Sequence, residues 1–172
     1  KQALAAFLNT FNEDHPEIAT SRSNLGSAWE AKGNYDKAIA YFEQALISEL
    51  KTFGEDHPAV ATTRNNLGTA WYRKANYDKA ITYFDQALAS HLKTFGENHP
   101  EIASFRRNIG SAWEAKGNYG KAMAYYKQAL TTSQLVFGGQ HPTTKLLTED
   151  LKNAKALYRH LETSTPPADW AQ

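Results

Sequence analysis

Four histidines stand immediately before proline, at His15, His57, His99 and His141, each 42 residues from the next. Histidine is the side chain most suited to metal binding and proton transfer near neutral pH, so this series is the first candidate for chemistry. A zinc ion, however, holds its ligands about 2 Å from one point. Positions one repeat apart run along an edge and cannot converge on one ion. No metal site is therefore expected, and each histidine reads as a helix-start residue that packs and hydrogen-bonds locally. Asn24, Asn66 and Asn108 share the same 42-residue step. Asn is costly inside a helix because its amide competes for backbone groups. Held on one face of successive units, it offers two donors and an acceptor to an extended peptide backbone; alternatively, each amide bridges to the adjacent repeat. Arg22, Arg64 and Arg106 pose a similar choice. Helices pack about 8–10 Å apart, so guanidiniums in a row repel unless partnered. Acidic residues of adjacent units and aromatic faces hold them, or they present a basic stripe to an acidic ligand.

Other chemistries are poorly served. The chain has no Cys, which removes disulfides, thiolate catalysis and Cys-based zinc sites. There is no phosphate loop, nucleophile elbow or HExxH motif. Nearly every polar residue recurs at the repeat period, whereas catalysis needs unlike groups converging on one point. Neither an enzyme nor a cofactor is expected. Lys and Arg (19) balance Asp and Glu (18), so no strong field directs the chain to nucleic acid or an anionic membrane. No apolar run approaches the roughly 20 residues of a membrane span, and a cytoplasmic location follows as the expectation.

The elements that position these residues come from the repeat. Residues 12–53 and 54–95 are identical at 29 of 42 positions. Within a unit, Pro16 suits the first helical position, where its missing N–H costs nothing, and His15 before it is biased to extended backbone. A first helix, A, runs from Pro16 to about Lys32, ended by Gly33 in the left-handed region. Its apolar face is Ile18, Leu25, Ala28 and Trp29. Asn34 caps a second helix, B, whose stripe is Tyr35, Ala38, Ile39, Phe42, Ala45, Leu46, Leu50 and Phe53, closed by Gly54. Gly26 and Ala38 let the two helices meet closely. One such hairpin cannot bury its own face, so neighbours stack into a continuous core.

Leu25, Gly26, Trp29, Gly33, Tyr35, Ala38, Phe42 and Ala45 fall on the framework of the tetratricopeptide repeat, which the chain resembles over residues 12–137 and in part beyond. The 42-residue unit with an opening His-Pro is similar to the kinesin light chain type. The resemblance implies an all-α fold, a right-handed superhelical solenoid of antiparallel helix hairpins that acts as a protein-binding scaffold. The expected organisation is 1–11 as the end of a preceding helix B, repeats at 12–53, 54–95 and 96–137, a capping helix at 138–162 with a polar outer face, and a disordered tail at 163–172. The truncated start suggests a fragment of a longer array. Departures from the pattern are Ala75 for the inter-helix Gly and Gly120 for the helix-start Asp.

The resemblance also implies a concave groove lined by the first helices. Its offsets fall on Thr20, Ser23, Asn24, Ser27, Glu30 and Ala31 in the first repeat. They fall on Thr62, Asn65, Asn66, Thr69, Tyr72 and Arg73 in the second, and on Ser104, Arg107, Asn108, Ser111, Glu114 and Ala115 in the third. Chaperone-binding relatives clamp a terminal carboxylate with Lys and Asn; Ser23 and Ser27 stand at those offsets, so chaperone tails are disfavoured. The expected partner is an extended peptide or protein segment, such as a Trp flanked by acidic residues. The alternative is a structural module that oligomerises through an uncapped N-terminal end or by swapping elements.

Overall fold

The computed structural model describes residues 15–164, which form seven α-helices with no strand among the described residues. They are α1 (Pro16–Ala31), α2 (Tyr35–Phe53), α3 (Pro58–Arg73), α4 (Tyr77–Phe95), α5 (Pro100–Ala115), α6 (Tyr119–Phe137) and α7 (Pro142–Ser164). Each helix packs chiefly on its neighbours in the chain, with light contact between α1 and α3 and between α3 and α5. The fold is thus a solenoid of antiparallel hairpins: α1–α2, α3–α4 and α5–α6, with α7 laid on α6.

Helix ends follow the residues that open and close them. His15, His57 and His99 have extended backbone and cap α1, α3 and α5, each Nδ1 accepting the backbone N–H two residues on. His141 does the same at 3.2 Å from the Thr143 nitrogen. The expected local packing of the imidazole is supplied by a phenylalanine. His57, His99 and His141 stack on Phe53, Phe95 and Phe137, with centroids 4.3, 4.6 and 4.3 Å apart. These phenylalanines are consequently exposed rings held by histidine rather than members of the buried stripe, correcting the placement of Phe53. Asn34, Asn76 and Asn118 cap α2, α4 and α6 through their side-chain oxygens. Ala75 keeps the same left-handed turn as Gly33 and Gly117, with φ of +58°, so the chain accepts the Cβ strain there instead of bending differently.

Core and close approach explain the glycines inside the first helices. A Cβ added at Gly26, Gly68 or Gly110 would meet the ring of Phe42, Phe84 or Tyr126 at 2.6, 2.5 and 2.7 Å. The ring of the second helix therefore lies directly on the backbone of the first. Between hairpins, Ala38, Ile39 and Phe42 of α2 close on Leu67 and Ala70 of α3, and Ala80, Ile81 and Phe84 of α4 close on Ile109 and Ala112 of α5. Leu25 is half-buried and Ala28 exposed in α1. Residues 1–11, expected as a preceding second helix, lie outside the described residues.

Two expectations about the C-terminal helix need adjustment. Helix α7 continues through Ser164, beyond the end expected near Glu162; residues 165–172 lie outside the described residues. Its outer face is mixed rather than polar. Lys152 and Lys155 are exposed, but so are Leu146, Leu157, Tyr158 and Leu161. No helix among the described residues is long and apolar enough to cross a membrane.

Candidate functional site

Helices α3 and α5 present their successive turns side by side, and a cleft of about 210 Å³ opens between them. Six of the expected groove residues line it: Thr69, Tyr72, Arg73, Arg107, Asn108 and Ser111, with the Phe84 ring beneath. A second cleft shares Tyr72 and Ser111 and continues to Glu114, Tyr119, Tyr126, Asp150 and Leu157. Of the first-repeat residues, Asn24 and Ser27 are exposed, Ser23 and Glu30 half-buried.

The polar groups differ in how far they are already engaged. Asn108 Nδ2 donates to Asn65 Oδ1 at 2.9 Å, bridging two repeats. Arg107 Nε donates to Asp150 Oδ2 of α7 at 2.6 Å. Both bonds join residues 43 apart, and Asp150 stands one repeat after Asn108. The asparagine series therefore serves as an inter-repeat bridge at its last two steps. One step earlier the residue facing Asn66 is Ser23, whose short side chain instead approaches the Thr63 hydroxyl at 3.4 Å. The side-chain amides of Asn24 and Asn66 make no hydrogen bond among the described residues. Asn24 is exposed and Asn66 half-buried, so both amides are open to a ligand.

Charge along the cleft is largely balanced from within. Arg107 is neutralised by Asp150. Glu114 accepts the Tyr126 hydroxyl at 2.7 Å, and Ser111 shares that hydroxyl at 3.1 Å. Burial, followed by the neighbouring Glu114 carboxylate, keeps the Tyr126 phenol protonated far above its ordinary range. Glu30 is also pushed up by burial, with Arg73 opposing the shift. Arg73 itself is exposed and forms no hydrogen bond or close ion pair among the described residues. The cleft thus offers the Arg73 guanidinium and the Tyr72 phenol above the Phe84 ring, while its Asn108 amide is already bonded to Asn65.

The recurring arginines lie elsewhere. Arg64 donates to the Glu55 carboxylate at 2.8 Å, and Arg106 to Glu97 at 2.5 Å and to the Thr132 hydroxyl at 2.8 Å. Arg22 donates to the Ser48 hydroxyl at 2.9 Å. Arg64 and Arg106 are buried. Their acidic partners belong to the loop opening their own repeat, neither to an adjacent unit nor to an aromatic face. These arginines pin the loop and the second helix to the first; they form no basic stripe.

Asp150, Phe84, Tyr126 and a buried His91 on α4 were absent from the sequence expectation. Asp150 was detectable, since aligning the fourth Pro-initiated helix places it in the asparagine series opposite Arg107. Tyr126 was detectable as the lone hydroxylated ring among Phe42, Phe84 and Tyr126.

Comparison with known proteins agrees with this architecture. No curated protein sequence matches the chain significantly. Its fold is similar to the nearly identical TPR-like repeats assigned to a kinesin light chain of Podosopora anserina, with a TM-score of 0.81 at 22% identity over 94% of this chain and 77% of that one. It is also similar to BtubC (BKLC) of P. vanneervenii, with a TM-score of 0.72 at 21% identity over 92% of this chain and 70% of that one. The TPR2AB domain of yeast Sti1, solved in complex with pHSP90, gives a TM-score of 0.68 at 21% identity over 89% of this chain and 53% of that one. The tetratricopeptide repeat family model matches residues 1–46, 27–89 and 72–134. The chain belongs to the tetratricopeptide repeat family.

Proposed function

We propose that the chain is a protein-interaction scaffold that binds an extended peptide segment along the α1–α3–α5 face. The observation that carries this reading is the cleft between α3 and α5, where the exposed Arg73 lies beside half-buried Tyr72 and the Phe84 ring. An extended segment would place backbone amides against Asn66 and Thr69, an acidic side chain near Arg73 and an apolar one over Phe84. Tetratricopeptide folds generally mediate protein–protein contacts, and a structural relative is known in complex with pHSP90. The test is selection of binders from a random peptide library, followed by Asn66→Ala with Arg73→Ala. Affinity should fall by about tenfold or more, or roughly 1.4 kcal/mol, with helicity and melting unchanged. Equal affinity in the variant would overturn the reading.

A second reading, self-association, is favoured by one feature. Helix α7 leaves Leu146, Leu157 and Tyr158 exposed, and exposed apolar residues of this kind are commonly covered by a partner surface.

A further inference from the structure

One group of unlike, ligand-competent side chains lies away from the cleft, at the junction of the second and third repeats. His91, near the end of α4, is only 2% exposed. Its Nε2 lies 2.5 Å from Glu101 Oε2 in the first turn of α5. The His99 ring, at the start of α5, is centred 5.0 Å from the His91 ring at an interplanar angle of 64°, and its Nδ1 is 3.9 Å from the same carboxylate oxygen. One ligand atom from each of the three residues falls within 4.8 Å of the others.

The surroundings favour a cation rather than a simple packing contact. Phe95 and Phe105 wall the inner side of His91, at 4.7 and 5.0 Å between centroids. His91 Nδ1 has no hydrogen-bond partner among the described residues. Glu101 is exposed and His99 half-exposed, so the outer side is open to an arriving ion.

The repeat itself does not call for this group. The position of His91 is held by Glu49 one repeat earlier and by Ser133 one repeat later, while that of Glu101 is Glu17 in the first repeat, Ala59 in the second and Thr143 after Pro142. Among the described residues, only at this junction does a second-helix histidine meet a glutamate beside the recurring His-Pro histidine.

We propose that His91, His99 and Glu101 bind one borderline divalent transition-metal ion of the zinc type, with solvent completing the coordination. Ligands at about 2.0–2.2 Å from a common zinc are spaced by roughly 3.3 Å. The exposed Glu101 carboxylate therefore draws back from Nε2 by about 1 Å, and the ring of His99 closes in as its Nδ1 exchanges the long 3.4 Å cap to the Glu101 N–H for the ion. The ion joins the last turns of α4 to the first turn of α5 and so staples one repeat to the next.

The test uses the full, tag-free chain titrated with Zn²⁺ and with Co²⁺ at pH 7.5, by calorimetry and visible absorption. One ion per chain and a Co²⁺ d–d band are expected. Glu101→Ala places at α5 the residue that Ala59 already provides in α3, and His91→Ser the residue that Ser133 provides in α6. Each should weaken binding by about tenfold or more, and circular dichroism should remain helical. If His91→Ser fails to fold, Glu101→Ala alone decides, being an exposed position. Absence of saturable one-to-one binding below about 1 mM, about 4 kcal/mol of affinity, would overturn the proposal. So would equal binding in Glu101→Ala, which would assign the ions to other histidines.

Discussion

At the scale of single residues, the most informative position in the repeat is a buried polar site on each second helix, occupied in turn by Glu49, His91 and Ser133. All three face the start of the next first helix, and each finds a different answer there. Ser133 shares a hydrogen bond with Thr144 at 2.8 Å, and His91 meets Glu101. Glu49 has Thr63 within hydrogen-bonding range, while its Oε2 is buried without a partner. Burial therefore pushes the Glu49 carboxyl above 4.5, only partly offset by Thr63. The sign follows from linkage. A raised folded-state pKa means that the protonated form is favoured in the fold, so this group's stabilising share is complete below pH 4.5 and is lost as pH rises through the folded pKa. Glu49→Gln should accordingly raise stability at pH 7, and the gain should vanish below about pH 4.5. Denaturant melts at the two pH values measure it; a variant less stable at pH 7 would refute the sign. None of this was visible in the sequence, where position 49 reads as one more surface charge on a helix.

At the scale of the element, the hairpin is held by contact between a ring and a bare backbone. Phe84 lies on Gly68 so closely that a Cβ would sit 2.5 Å from ring carbons. Gly68→Ala gains helix propensity of about 1 kcal/mol but forces the ring out of place, and overpacking of this kind costs about 1–3 kcal/mol. The net expectation is destabilisation with a lowered melting temperature; a variant that melts higher would show that the ring moves freely. The edges of the hairpins carry a second regularity. Lys37, Lys79 and Lys121 lie over Trp29, Trp71 and Trp113 at 4.2, 4.0 and 3.9 Å. Lys74 and Lys116, beside the second and third tryptophans, also pair with Asp36 and Asp78 of the preceding repeat. This accounts for Gly120: it stands where the next aspartate would be, opposite Tyr158, which replaces the next lysine. Both halves of the pair are missing together, a covariation that the sequence contained but that no single repeat could reveal.

At the scale of the whole molecule, a solenoid has ends, and the ends decide how it associates. The exposed apolar residues of α7, Leu146, Leu157 and Tyr158, are the surface on which self-association would rest. If they pair, mass by light scattering should rise with concentration, and Leu146→Lys with Leu157→Lys should return the chain to monomer. A strict monomer across the concentration range would leave α7 as a simple cap and remove the second functional reading.

The sequence by itself determined the repeat, the helix pairs and their ends. His-Pro, Asn-Tyr and Gly act on backbone dihedrals and unpaired N–H groups within a few residues, and such local effects need no distant partner. Even Ala75, in place of the inter-helix Gly, keeps the left-handed turn with φ of +58°. The tertiary structure alone decided which polar residues remain free. Asn108 and Arg107 were equivalent in prospect to Asn66 and Arg73, yet the first two are engaged by Asn65 and Asp150 while Arg73 stands open. It also brought His91 to Glu101. Those outcomes depend on which side chains face one another across stacked repeats, a relation between turns of different helices that spacing along one helix does not encode.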